Sequence, residues 1–146
     1  MQPAAAGFPA PEKQLFPPNS HYQPPLGQWS TGLCACFDDL PICLTTYICP
    51  CITFGRNAEI IDKGASSCCG SGVLYGLLCC LTAVTGGICY CNWLYSCTYR
   101  SKIKQQYGIP AGCCEDCCVH FCCEFCAVCQ ESRELQNRGY NLSVGI

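Results

Sequence analysis

The chain has 146 residues, of which 20 are cysteine and only 12% are charged, and its net charge is −2. An ordinary soluble domain carries roughly 25% charged residues, and a nucleic-acid partner calls for a basic face that displaces counterions. The composition therefore argues against both, and leaves a membrane protein, a disulfide scaffold or a thiol-rich metal protein.

Residues 1–28 read as a tail. Seven of the ten prolines fall in the first thirty residues, with no basic start and no sustained apolar stretch. Such a segment is not a signal peptide and does not bury enough apolar surface to order itself. A disordered, cytosolic tail places the following cysteines in a reducing compartment, where thiols stay free, metal-bound or acylated. The remainder, 29–145, reads as one cysteine-rich membrane domain.

The first apolar run, Leu40 to Gly55, contains Pro41 and Pro50. It is short for a crossing, and is expected as a second membrane-embedded segment over 40–55, interfacial or re-entrant. Pro50 suits the first position of a helix, where its missing N–H costs nothing. Residues 51–63 then form a short amphipathic helix that stops at Gly64. Cys49-Pro50-Cys51 is open to three readings: soft-metal binding, palmitoylation or packing.

The longest signal is Gly72 to Tyr99, 28 residues without Asp, Glu, Lys or Arg. As a helix it would reach about 42 Å, against about 30 Å of hydrocarbon. It is expected as a transmembrane helix over 72–99, with Gly86-Gly87 its weak point. Tyr95 and Tyr99 would form an aromatic belt, and Arg100, Lys102 and Lys104 a cytosolic flank. At 100° per residue, Gly72, Gly76, Cys79, Ala83, Gly87, Tyr90 and Cys97 fall on one side and the leucines opposite. The leucine side suits lipid; the small side suits another helix, with Gly72 and Gly76 forming a GxxxG.

The C-terminal cluster, Cys113 to Cys129, reads as a cysteine-rich helix after Gly112. Cys113, Cys117, His120 and Glu124 share one face, with Cys123 at its edge. Cys118, Cys122, Phe125 and Cys129 make a second stripe, expected to pack. Thiolate and imidazole are donors that suit zinc and other soft metals, and residues four apart on a helix can share an ion. Free cysteine also packs as a small hydrophobe, so the first face is open to both roles. No nucleophile elbow, P-loop or H-E-x-x-H is present, and no enzyme activity is expected.

Taken together, Trp29-Ser30-Thr31-Gly32-Leu33-Cys34, Cys36-Phe37-Asp38-Asp39, Cys49-Pro50-Cys51-Ile52-Thr53-Phe54-Gly55 and Ala58-Glu59-Ile60 make a pattern. It continues through Tyr99-Arg100-Ser101-Lys102, Gln106-Tyr107-Gly108, Asp116-Cys117, His120, Cys123, Cys126, Cys129-Gln130, Arg133-Glu134-Leu135 and Arg138-Gly139-Tyr140. The pattern resembles the plant members of the placenta-specific-eight family. These include plant cadmium resistance proteins and fruit-weight or cell-number regulators. The resemblance implies a mostly α, homo-oligomeric plasma-membrane protein in contact with the lipid bilayer. It also implies either resistance to or efflux of zinc and cadmium, or control of cell number by a non-transporting adaptor. No cofactor is required on this reading; Zn²⁺ or Cd²⁺ would be the bound or transported ion. Carried over, the metal-handling residues are Cys43, Cys49, Cys51, Cys117, His120, Cys123 and Cys126, to which the helix-face reading adds Cys113. Cadmium resistance members often pair two cysteines four residues before the Cys-Pro-Cys; here Leu44 follows Cys43, which leans toward the regulator branch.

Overall fold

The computed structural model describes residues 24–110 and 112–142; of Cys113 only the backbone is described. The tail expected over residues 1–28 lies outside the described residues as far as residue 23. A short 3₁₀ turn at Cys36–Asp38 precedes five helices: α1 Leu40–Ile48, α2 Pro50–Ile61, α3 Cys68–Val84, α4 Asn92–Tyr107 and α5 Cys113–Asn137. The described residues contain no strand.

Local chemistry sets the helix boundaries. The Asp39 carboxylate accepts from Ile42 N at 3.1 Å and caps α1, and Ser67 does the same for α3 through Gly70 N at 3.0 Å. Side-chain oxygens at these positions satisfy amide groups that have no partner within the helix. Pro50 begins α2 at its first turn, as its missing N–H predicts. The run over 40–55 is accordingly two helices meeting at Cys49, and not one membrane-embedded segment. Phe54, buried on α2, belongs to the protein core.

The 28-residue run is likewise not one helix. Alpha-3 ends after 17 residues, the chain turns through Gly86 and Gly87 at φ of 63° and 89°, and α4 begins at Asn92. Both dihedrals lie in the left-handed region that glycine enters without a Cβ penalty. Thr82 Oγ1 holds the turn, 3.0 Å from the Cys89 carbonyl and 3.1 Å from Asn92 Oδ1. Seventeen residues reach only about 25 Å. Among the described residues no helix is long and apolar enough to cross a membrane, which overturns the transmembrane helix expected over 72–99.

That reversal moves residues from an expected lipid boundary into the core. Phe54 stacks on Tyr75 at 4.4 Å between ring centroids, and Tyr95 and Tyr99 each approach it at 5.2 Å. The expected aromatic belt is therefore packing around one phenylalanine. Arg100 and Lys104 are buried rather than flanking a membrane, while Lys102 stays exposed and pairs with Asp62 at 2.6 Å. Asp62 is held below its ordinary pKa. Partial burial would raise it, but hydrogen bonds from Lys102, Ser66 and Tyr99 outweigh that.

The two-sided character of α3 is present, and its partner lies within the chain. A Cβ on Gly72 would sit 2.8 Å from the Cys51 carbonyl oxygen, and one on Gly55 would overlap the Cys68 carbonyl. Alpha-2 and α3 thus cross backbone to backbone. The opposite side leaves Leu74, Leu77 and Leu81 exposed, together with Val84 at 86% and Ile88 at 89%. In the C-terminal cluster, α5 extends to Asn137 and kinks at Cys123, whose φ of −148° and ψ of 73° are not helical.

Gly55→Ala should cost about 1–3 kcal/mol through overpacking, more than the roughly 1 kcal/mol of helix propensity it gains. Gly76→Ala is the control. Its methyl would meet Cys51 Cβ at an ordinary 3.5 Å, so it should be neutral or stabilising. Chemical-denaturation midpoints of the two variants check the difference.

Candidate functional site: thiol pairs beside a buried charge cluster

The α1–α2 junction places two thiols together. Cys49 is the residue between the helices and Cys51 lies in the first turn of α2, with their sulfurs 2.9 Å apart. Both are half-buried and neither is bridged. Burial raises the Cys51 pKa to about 11, reinforced by the hydrogen bond and charge of Cys49. At neutral pH Cys51 therefore carries its proton, and a soft metal must displace it to bind there.

The other expected ligands are dispersed. Cys43 is buried on α1 with Cys36, Ile42 and Cys129. Cys117 meets Cys97 of α4, with sulfurs 3.3 Å apart. Cys126 shares hydrogen bonds with Cys123 and Cys36, and its pKa is raised first by burial and then by those thiols. The side chain of Cys113 lies outside the described residues. Among the described residues no group of three or more His, Cys, Asp or Glu side chains is placed to hold a metal ion.

The face expected to carry Cys117, His120 and Glu124 exists, but it packs against α4. His120 is 0% exposed. Its Nδ1 lies 3.1 Å from Ser96 Oγ and its Nε2 lies 2.9 Å from Glu131 Oε1. With both ring nitrogens engaged, the imidazole has no lone pair turned toward a thiol. Ser96 Oγ also donates to Glu124 Oε1 at 2.7 Å, and Asn92 Nδ2 donates to Glu124 Oε2. Burial raises the Glu124 pKa, partly offset by the Ser96 and Tyr75 hydrogen bonds. Ser96, His120 and Glu131 line up as a serine, base and acid, yet all three are fully buried, leaving a substrate no approach to the hydroxyl.

Below this relay lies a charge cluster that sequence reasoning missed. Asp116 Oδ1 receives Lys104 Nζ at 2.5 Å and Arg100 Nε at 3.2 Å. Arg100 also donates from Nη2 to Gln130 at 2.8 Å and pairs with Glu131 at 3.6 Å. Trp29 covers the guanidinium, with its ring centroid 4.2 Å from Arg100 Cζ. The next residues are tied to α5: Ser30 N donates to Glu134 at 2.6 Å, and Gln130 Nε2 donates to the Thr31 carbonyl at 2.9 Å. The local signal was the spacing of Arg100 and Lys104, four apart on either side of the buried Ile103, which puts both cations on one helical face.

A separate cavity of about 370 Å³ opens between α1, α2 and the end of α5. Asp39, Ile42, Arg56, Asn57, Ser132 and Gln136 are among its lining residues, and no thiol borders it.

These features define a small helical, thiol-rich domain with two close thiol pairs, an aromatic core and a buried charge cluster. The chain belongs to the PLAC8 family, whose model matches residues 29–134. It is 57% identical to Cell number regulator 7 of Zea mays over 81% of this chain and 63% of that protein. It is 55% identical to Cell number regulator 9 of Zea mays over 84% of this chain and 66% of that protein. The identity to Protein PLANT CADMIUM RESISTANCE 2 of Arabidopsis thaliana is 50%, over 82% of this chain and 74% of that protein. The chain thus spans just under two thirds of the length of the first two of these relatives. No solved structure matches it.

Asp116→Ala would leave two buried cations facing each other without their shared carboxylate. It should cost about 3–5 kcal/mol, far beyond the 0–1 kcal/mol of an exposed pair. Replacing the exposed Lys102 by Ala, which releases Asp62, supplies that comparison in the same denaturation assay.

Proposed function

We propose that this protein handles soft metal ions in the manner the cadmium resistance name describes, binding Zn²⁺ or Cd²⁺ through Cys49 and Cys51 and conferring resistance to them or efflux of them. The observation that carries this reading is the sulfur contact of 2.9 Å at the α1–α2 junction. Pro50 produces it by starting a new helix directly after Cys49. Zinc prefers four donors in a tetrahedron, and one copy offers two here. A homo-oligomer supplies the rest when pairs from two copies face one metal.

The place of action on this reading is the plasma membrane, although no helix among the described residues crosses it. The exposed side of α3, from Leu74 to Val84, and the turn at Ile88 form an apolar surface that suits the boundary between headgroups and acyl chains. The lipid bilayer is the partner that covers it.

A second reading is favoured by a different observation. Leu44 is exposed while Cys43 is buried, so the residue next to Cys43 adds no thiol to the set. Relatives of this chain include several named cell number regulators. In this reading the protein is a non-transporting membrane adaptor in organ-size control, and its thiols serve packing.

Equilibrium binding of Cd²⁺ under reducing conditions separates the two. Metal must displace the Cys51 proton, so the affinity of the wild type should rise with pH by at least roughly 10-fold per unit below the Cys51 pKa. The double variant Cys49→Ser/Cys51→Ser should lose that pH dependence and the metal tolerance the protein confers on a sensitive yeast strain. Tolerance retained in full by the double variant would favour the adaptor.

A further inference from the structure

The second cysteine stripe of α5 packs as its spacing suggests only in its C-terminal half, at Phe125 and Cys129. Cys118 and Cys122, one turn apart, are exposed, while Cys129 at the far end of the stripe is buried. The kink at Cys123 separates the two behaviours. Both thiols are unbridged, and packing does not account for them.

An exposed aromatic side chain lies beside them on the helix. Phe121, itself 59% exposed, lies between them in sequence and meets Tyr90 at 5.6 Å and Trp93 at 5.9 Å in edge-to-face contacts. Cys122 lies close enough to the Tyr90 phenol to act on its ionisation, after burial, Glu124 and Cys79. Tyr90 follows the α3–α4 turn, whose Ile88 is among the most exposed apolar residues of the molecule. Phe121, next to Cys122 and about one turn from Cys118, therefore joins this part of α5 to the apolar surface that the proposed function places against lipid.

We propose that Cys118 and Cys122 are S-acylation sites that take long-chain fatty acyl groups from acyl-coenzyme A. Each thiol gives up its proton and its sulfur attacks the thioester carbonyl. The bond from that carbonyl to the coenzyme A sulfur breaks, a new thioester forms on cysteine, and coenzyme A leaves as its thiol, with no change in oxidation state. Cysteines on an amphipathic helix beside a membrane are the usual substrates of this reversible reaction. The energetic motive is specific to this fold. A single acyl chain or an apolar face alone gives marginal, reversible attachment, and stable anchoring takes two signals. Two neighbouring chains added to the exposed face of α3 meet that requirement where no described helix crosses the membrane.

The inference rests on the membrane-facing reading above, and the experiment separates the two. Full-length protein is produced in eukaryotic cells fed an alkyne analogue of palmitate, and acylated cysteines are mapped by hydroxylamine release and mass spectrometry. The proposal expects hydroxylamine-labile label on Cys118 and Cys122. It should fall at least tenfold in Cys118→Ser/Cys122→Ser and persist in Cys49→Ser/Cys51→Ser. An unlabelled wild type, or label that survives in the Cys118/Cys122 variant, overturns the proposal. Mapping in the wild type decides the matter even where a variant folds poorly. Bacterially produced protein, which lacks the acyl groups, is tested in parallel for sedimentation with phosphatidylserine-containing vesicles. Its failure to bind would remove the membrane-facing reading while the acyl map still decides the sites.

Discussion

A reversal of the chain at Gly86 and Gly87 controls most of what this molecule is. On one side of the turn α3 lies along α2, so close that Gly55 and Gly72 leave no room for a methyl group. On the other side α4 returns past the same core, bringing Tyr95 and Tyr99 onto Phe54. It also carries Arg100 and Lys104 inward, where Asp116 pairs with both and Glu131 adds a second carboxylate to Arg100. Buried cations are tolerable only when paired with carboxylates and hydrogen-bonded. The turn thus brings inward the two cations that Asp116 and Glu131 hold.

The thiol chemistry follows from this scaffold. Cys51 sits where α2 and α3 cross, its carbonyl against Gly72, so the Cys49–Cys51 pair is fixed by the most closely packed part of the fold. The C-terminal cysteines divide at the kink in α5. His120 just before it and Glu124 just after it face α4 in a hydrogen-bonded relay, while Cys118 and Cys122, both before it, are exposed. After it, Cys129 enters a small core with Cys36 and Cys43. One residue type thus occupies three environments, which explains why a high cysteine count alone does not point to a single metal centre.

Much of the local structure was legible in the sequence. Pro50 as a helix start, Gly64 beyond the end of α2, Gly112 before α5 and the small side of α3 are all signals written within one or two turns of chain. The transmembrane helix was misread because a sum of apolar residues is the same for one long helix and for two shorter ones folded together. The double glycine marked the weak point without saying whether the chain bends there or turns back. The charge cluster was illegible for a related reason. Arg100 meets Asp116 and Glu131 only after α4 and α5 pack, and basic residues after an apolar run look the same whether they flank a bilayer or enter a core. The small stripe of Gly72 and Gly76 foretold close helix packing, but nothing local distinguishes a second copy from α2 as the partner.

The most direct test is the separation of Tyr75 from Tyr99. A continuous helix would hold these residues about 36 Å apart at 1.5 Å per residue. The turned chain puts both rings on Phe54, at 4.4 Å and 5.2 Å. Nuclear Overhauser contacts from the Phe54 ring in aromatic-labelled protein should therefore reach Tyr75 and Tyr99 alike. Contacts to Tyr75 alone, with uninterrupted helical amide protection across residues 85–91, would contradict the account.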